Sequence, residues 1–248
     1  STRTLCPNVC RKRRQDKAQP AYREIASVES IESSMERLLT LLSTYNATIP
    51  KAYQTSWSKQ YLATDFPLYW KRVYQQLEAL PRDRRIVEVG AGQGDITAIC
   101  CYLGFSSIIS YERDIIQAEL ATKKIATLFH RQNVVHPQAF PREDGRREEA
   151  DILIIVNCVY AEENHNKASY LQQLYSFYVA TGYPKLVLLE VIDDSFRIED
   201  PDFPLWVRLS QEDVKGLFPH AEIEVFNTYK YPINKRSKCL YVIKNEAL

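Results

Sequence analysis

Two rhythms of hydrophobic residues divide the chain. Between Tyr22 and Tyr45, the residues Ile25, Val28, Ile31, Met35, Leu38, Leu39, Leu41 and Leu42 recur at intervals of three and four. That spacing predicts a helix, or a pair of helices, with one apolar face, ended by Pro50. A second amphipathic helix is expected over residues 66–80, with Asp65 as its cap and Pro67 in its first turn. The intervening stretch 51–65, KAYQTSWSKQYLATD, reads as a loop with aromatic anchors. From residue 85 the rhythm changes. Short apolar runs at 86–89, 107–111, 133–135, 151–156 and 184–190 predict five strands, and helical stretches opening at Asp95 and covering 115–130 and 168–180 lie between them. The run 151–156 is almost continuously apolar, as a strand buried on both faces must be. A further short helix is expected from Ser210 or Gln211 to Gly216. Residues 221–229 and 238–244 then alternate apolar with polar on either side of a turn at 231–236, which predicts an antiparallel hairpin. Strands alternating with helices predict an α/β sheet, mostly parallel and closed by that hairpin.

Chemistry enters at the first strand. It runs into Gly90-Ala91-Gly92-Gln93-Gly94 before a helix opens at Asp95. A backbone approaches a ligand closely only where no Cβ intervenes, and a helix start directs unpaired N–H groups at whatever is bound there. The second strand finishes on Glu112, about 20 residues beyond Gly90, the position from which a carboxylate accepts hydrogen bonds from both hydroxyls of a ribose. A ribose-containing ligand is therefore expected.

The order Glu88-x-Gly90-x-Gly92-x-Gly94 resembles motif I of the class I S-adenosylmethionine-dependent methyltransferases, and no register fits the G-x-G-x-x-G of dinucleotide enzymes. The resemblance covers roughly residues 65–248 by order of elements. It implies a Rossmann-like, seven-stranded sheet with S-adenosylmethionine as cofactor. It also implies that Glu112 holds the ribose, with Arg113 beside it, and that Glu88, Gly90, Ala91, Gly92, Gly94 and Asp95 form the cofactor loop. At the end of the third strand many family members place an acid for the adenine amino group; here Gln138 stands nearby, and its amide oxygen also accepts. The implied organisation is a basic tail at 1–20, an N-terminal helical cap at 21–80 and a cofactor-binding domain at 81–248. In the family the segment before the first strand often closes over the cofactor, which makes Trp57, Tyr61 and Tyr69 candidates for substrate contacts.

The fourth strand ends at Asn157-Cys158-Val159-Tyr160, where the reaction centre of an open α/β sheet lies. Asn157 is the polar residue at the strand end, a candidate for both cofactor and acceptor contacts. The Asn157-x-x-Tyr160 spacing is similar to the Asn-Pro-Pro-Tyr motif of methyltransferases acting on base amines, although Val159 replaces the proline. Glu162, Glu163 and His165 follow on a loop, and His165, with Asn157 and Tyr160, is a candidate for catalysis. Asp193 and Asp194 resemble the magnesium site of some O-methyltransferases, but neutral Asn157 stands where those enzymes place an aspartate, so no metal is expected. Residues 203–206, bracketed by prolines, are a candidate pocket wall.

Composition narrows the picture further. With 248 residues, 45% of them hydrophobic, the chain can bury one sizeable core plus an appendage. The balance of 32 basic against 31 acidic residues gives no global attraction to nucleic acid or anionic lipid. Arg11 to Arg14 and Lys17 form a local basic run of the kind usually solvated near a terminus. Six cysteines, two of them adjacent at Cys100 and Cys101, make no disulfide framework, and no secretory or membrane-spanning apolar segment is present. A reducing cytoplasm fits best. The expected activity is methyl transfer to oxygen or nitrogen of a small molecule, without a membrane. The alternatives are an RNA or DNA base N-methyltransferase, suggested by Asn157-x-x-Tyr160, and a non-catalytic cofactor-binding module.

Overall fold

A computed structural model describes residues 30–54, 67–158, 164–196, 199, 203–229 and 238–245. Two helices, α1 (Ile31–Asn46) and α2 (Leu68–Glu78), lead into β1 (Arg85–Val89), α3 (Asp95–Tyr102), β2 (Ser107–Tyr111), α4 (Ile115–Phe129) and β3 (Val135–His136). There follow β4 (Ile152–Ile155), α5 (Lys167–Ala180), β5 (Leu186–Asp193), β6 (Arg208–Leu209), α6 (Gln211–Leu217), β7 (Ala221–Tyr229) and β8 (Lys238–Asn245). The sheet runs β3-β2-β1-β4-β5-β8-β7, with the two-residue β6 pairing β5 off this path. β1 to β5 pair in parallel, and β8 pairs antiparallel with both β5 and β7. The expected seven strands are thus joined by an eighth. Strand order reverses between β1 and β4, and at such a switch point the carboxyl ends of the strands of an open sheet leave a crevice for ligands.

Local sequence sets most boundaries. Ser30 caps α1 by accepting from Ser33 N at 3.2 Å, and Asp114 caps α4 by accepting from Gln117 N at 3.0 Å. Ser210 and Asp213 close a reciprocal capping box on α6. Pro67 stands as the N-cap of α2 rather than inside its first turn, because its ψ of 141° is extended and not helical. The expected cap Asp65 lies outside the described residues, as do residues 22–29 of the first predicted helix. That helix ends at Asn46, and Pro50 instead opens a single 3-10 turn at Lys51–Tyr53. The third strand begins two residues later than its apolar run suggests, because Asn133 adopts a left-handed φ of 58° and still belongs to the turn.

Both faces of the sheet are covered. The alternation of β4 divides the core: Ile152 and Ile154 face one layer, Leu153 and Ile155 the other. On the first side α1 and α2 contribute Leu38, Leu42, Trp70, Val73 and Leu77 to the same cluster as Ile99 of α3 and Ile125 of α4. On the second, Leu174 and Phe177 of α5 and Val214 of α6 pack on Val187 and Tyr241. Helices α3 and α4 approach so closely at Gly94 that a Cβ there would sit 2.8 Å from the Cβ of Ala121, and the φ of +79° is itself one that side chains resist. No helix among the described residues is long and apolar enough to cross a membrane.

Candidate active site

The glycine turn is built by the ends of β1 and β2. Gly90 N and Ala91 N both donate to the carbonyl of Tyr111, at 2.9 and 3.0 Å, and Gly94 N donates to Ala91 O at 2.8 Å. Positive φ values of 74° at Gly90 and 53° at Gly92 let the chain double back without strain. Glu112, one residue past β2, fixes the middle of the turn. Its Oε2 accepts from Gly92 N at 2.7 Å and its Oε1 from Asp114 N at 2.9 Å. A carboxylate has about four acceptor positions. One on each oxygen is taken by backbone, which leaves one on each for a further donor. A pair of neighbouring hydroxyls, as on a ribose, is one donor pattern that could fill them. Arg113 is exposed beside it, and Gln138, half-buried two residues beyond β3, has its N–H bonded to His136 O at 2.9 Å.

Glu88 plays a different part. It is 3% exposed, and a single oxygen accepts the Thr97 hydroxyl at 2.5 Å and the Ser110 hydroxyl at 2.7 Å. Its carboxylate therefore ties β1 to α3 and β2. Burial pushes its pKa up from 4.5 to about 7, against the two hydroxyls, which lower it. The folded chain thus keeps a proton that the unfolded chain releases between those values. Stability from this group is complete below the unfolded pKa and lost as pH rises through about 7, roughly 3 kcal/mol in all. Glu88→Gln should remove that slope: compared by urea unfolding at pH 5 and pH 8, it should gain on the parent at the higher pH. An unchanged difference between the two proteins would contradict the assignment.

Asp95, the first residue of α3, is 3% exposed and meets Lys124 of α4, which is fully buried, with Nζ to Oδ1 at 3.0 Å. Asn46, at the end of α1, donates its Nδ2 to the same oxygen at 3.1 Å. Gln93 of the turn donates its side-chain amide to Tyr53 O at 3.3 Å. Segments on both sides of residue 50 are therefore bonded to the turn and to α3.

Across the crevice, Asn157 follows β4 in a left-handed conformation, φ 56°, rare for a residue other than glycine and frequent at functional sites. Three contacts hold it and its neighbour. Asn157 N donates to Glu190 Oε2 at 2.9 Å, Lys238 Nζ donates to Asn157 Oδ1 at 2.7 Å, and Cys158 Sγ reaches Val89 O at 3.5 Å. Glu190 is 4% exposed and its other oxygen accepts the Thr228 hydroxyl. Glu190, Thr228 and Lys238 had no part in the motif reading. An acid closing an apolar strand is a signal of sorts for Glu190; Lys238 has none.

Tyr160, Trp57 and Tyr61 lie outside the described residues, as do Glu162 and Glu163. His165 is exposed, just ahead of Asn166, which caps α5. Tyr69 is 5% exposed in α2, edge-on to Trp70 with ring centroids 6.1 Å apart, a core position. β5 continues through Asp193, which the sequence sets beyond the strand tip. That carboxylate is buried, accepting from Ser195 N at 3.0 Å and from Cys239 Sγ at 3.5 Å.

No family model matches the sequence, and neither does any curated protein. The fold does have solved counterparts. The methyltransferase domain of bacterial CtHen1-C is 12% identical with a TM-score of 0.53, over 73% of this chain and 98% of its own. The magnesium protoporphyrin IX methyltransferase ChlM of Synechocystis PCC 6803, solved with bound S-adenosylmethionine, is 12% identical with a TM-score of 0.52, over 84% and 97%. An S-adenosylmethionine-dependent methyltransferase from Clostridium acetobutylicum ATCC 824 gives 10% and 0.52, over 77% and 96%. At such identities the likeness is one of fold. The chain has the fold of the class I S-adenosylmethionine-dependent methyltransferases.

Proposed function

We propose that this protein is a cytoplasmic methyltransferase that uses S-adenosylmethionine and transfers its methyl group to oxygen or nitrogen of a small molecule. One observation carries the reading: Glu112 is clamped between Gly92 N and Asp114 N beside the β1–β4 crevice, with one acceptor position on each oxygen to spare. The residues fit the cofactor. In this reading Glu112 grips the ribose, the backbone of Gly90, Ala91 and Gly92 lies against the methionine part, and Gln138 accepts from the adenine amino group. Asn157 faces the reacting end. When bound, the cofactor supplies an electrophilic methyl group on a sulfonium. The chain's contribution is alignment: rigid strand tips hold donor and acceptor in line, and the helical segment before β1 acts as a cap that excludes water.

Calorimetry with S-adenosylhomocysteine tests it, with NAD as control. At a ligand concentration of about 100 times Kd, stability should rise by roughly 2.7 kcal/mol, a clear gain in melting midpoint. Well-folded protein that gives neither heat nor a shifted midpoint would refute the proposal.

A further inference from the structure

The acceptor side of the crevice carries chemistry that distinguishes among substrates. Lys238 opens β8, paired with Ile192 of β5 on one side and Tyr229 of β7 on the other, and its ammonium reaches the tip of β4. A lysine ammonium only donates, so the atom it meets at 2.7 Å is the amide oxygen of Asn157, and the orientation of that side chain is settled. The Asn157 NH2 group makes no hydrogen bond among the described residues. Together the pair offers two N–H bonds from the amide and two from the half-buried ammonium. Among the described residues no carboxylate lies in ion-pair range of Lys238. Its other neighbour is the half-buried ring of Phe203, 5.9 Å from Nζ to the centroid. The nearest buried acids are already satisfied: Glu190 by Asn157 N and Thr228, Asp193 by Ser195 and Cys239.

We infer that Asn157 and Lys238 form an oxyanion-binding pair and that the methyl acceptor is a carboxylate. This deepens the methyl-transfer reading and rests on it. A base-amine methyltransferase uses its strand-end asparagine oxygen to accept an N–H bond from the nucleophile; here Lys238 takes one of that oxygen's two acceptor positions and sets a cation beside the other. An attacking amine also becomes positively charged, next to the Lys238 ammonium. A carboxylate has the opposite fit. It is ionised at neutral pH, so no general base is required. One carboxylate oxygen is held by Lys238 and the Asn157 amide. A lone pair on the other oxygen attacks the methyl carbon, and the carbon–sulfur bond breaks with its electrons going to sulfur. The products are a methyl ester and a neutral thioether, with charge balanced and no proton transferred. Lys238 binds the acceptor directly and fixes Asn157 beside it, and Phe203 offers an aromatic surface for the body of the acceptor.

The experiment gives the full chain methyl-labelled S-adenosylmethionine and, as acceptors, a small-molecule cell extract cleared of macromolecules or, separately, total RNA. Products are then treated with mild alkali, which releases methanol from methyl esters alone. The expected result is volatile label from the small-molecule extract. Lys238→Met should cut it by about tenfold or more, Lys238→Arg should restore most of it, and S-adenosylhomocysteine affinity should stay within about twofold in both. Label that survives alkali, in amines, ethers or RNA, overturns the inference. So does full activity in Lys238→Met, or a protein that binds the cofactor and labels nothing. A protein that does not bind the cofactor brings down the underlying reading, and this one with it.

Discussion

Asp95→Ala should destabilise the protein by roughly 3–5 kcal/mol, the range for removing one partner of a buried ion pair. Lys124 is fully buried, so without the carboxylate 3.0 Å away its ammonium loses the charge that offsets desolvation. Burial already pulls the Lys124 pKa below the usual lysine value, and Asp95 is what opposes that pull. The same substitution removes one hydrogen bond from Asn46 at the end of α1. Chemical denaturation measures the loss. The double variant Asp95→Ala, Lys124→Met should recover most of it, because an apolar pair has no charge to strand. If the single variant unfolded within about 1 kcal/mol of the parent, the pair would be no part of what holds α1, α3 and α4 together.

Glu112→Ala should weaken cofactor binding on the order of a hundredfold, about 3 kcal/mol, since hydrogen bonds to a charged group are worth about 1.5–3 kcal/mol each and two are lost. Part of the effect comes through the loop, because Gly92 N and Asp114 N lose their shared anchor. Glu112→Gln should not rescue it. An amide has only one acceptor oxygen, and its NH2 group would confront one of those two backbone donors. Calorimetric titration with S-adenosylhomocysteine reads the change directly, and unaltered affinity would place the nucleoside elsewhere.

What was legible in the sequence is what neighbouring residues decide. Strand, glycine turn, helix and carboxylate occur within 85–112, and the structure builds Glu112 onto Gly92 at a separation of 20 residues. The hairpin strands were legible too, from their alternation, but not their place in the sheet. β5 is longer than its apolar run because β6 and β8 both pair with it at Ile192. Partners, not composition, set its length. Lys124 reads as one more basic residue on a mixed helix until Asp95 is brought against it. The Lys238–Asn157 contact joins residues 81 apart and depends on β8 lying between β5 and β7, which no local pattern encodes.

That central position of β8 also bears on how the molecule is assembled. As the chain emerges during synthesis, β1 to β5 can pair in sequence while the free edge of β5 stays open, waiting for the last described strand. Until β8 arrives, β7 has no neighbour to bind, and the β5 edge is a template for other chains. Completion of the sheet is therefore a late, long-range event, and a nascent polypeptide in which Glu112 already anchors the glycine turn still lacks the Lys238–Asn157 contact.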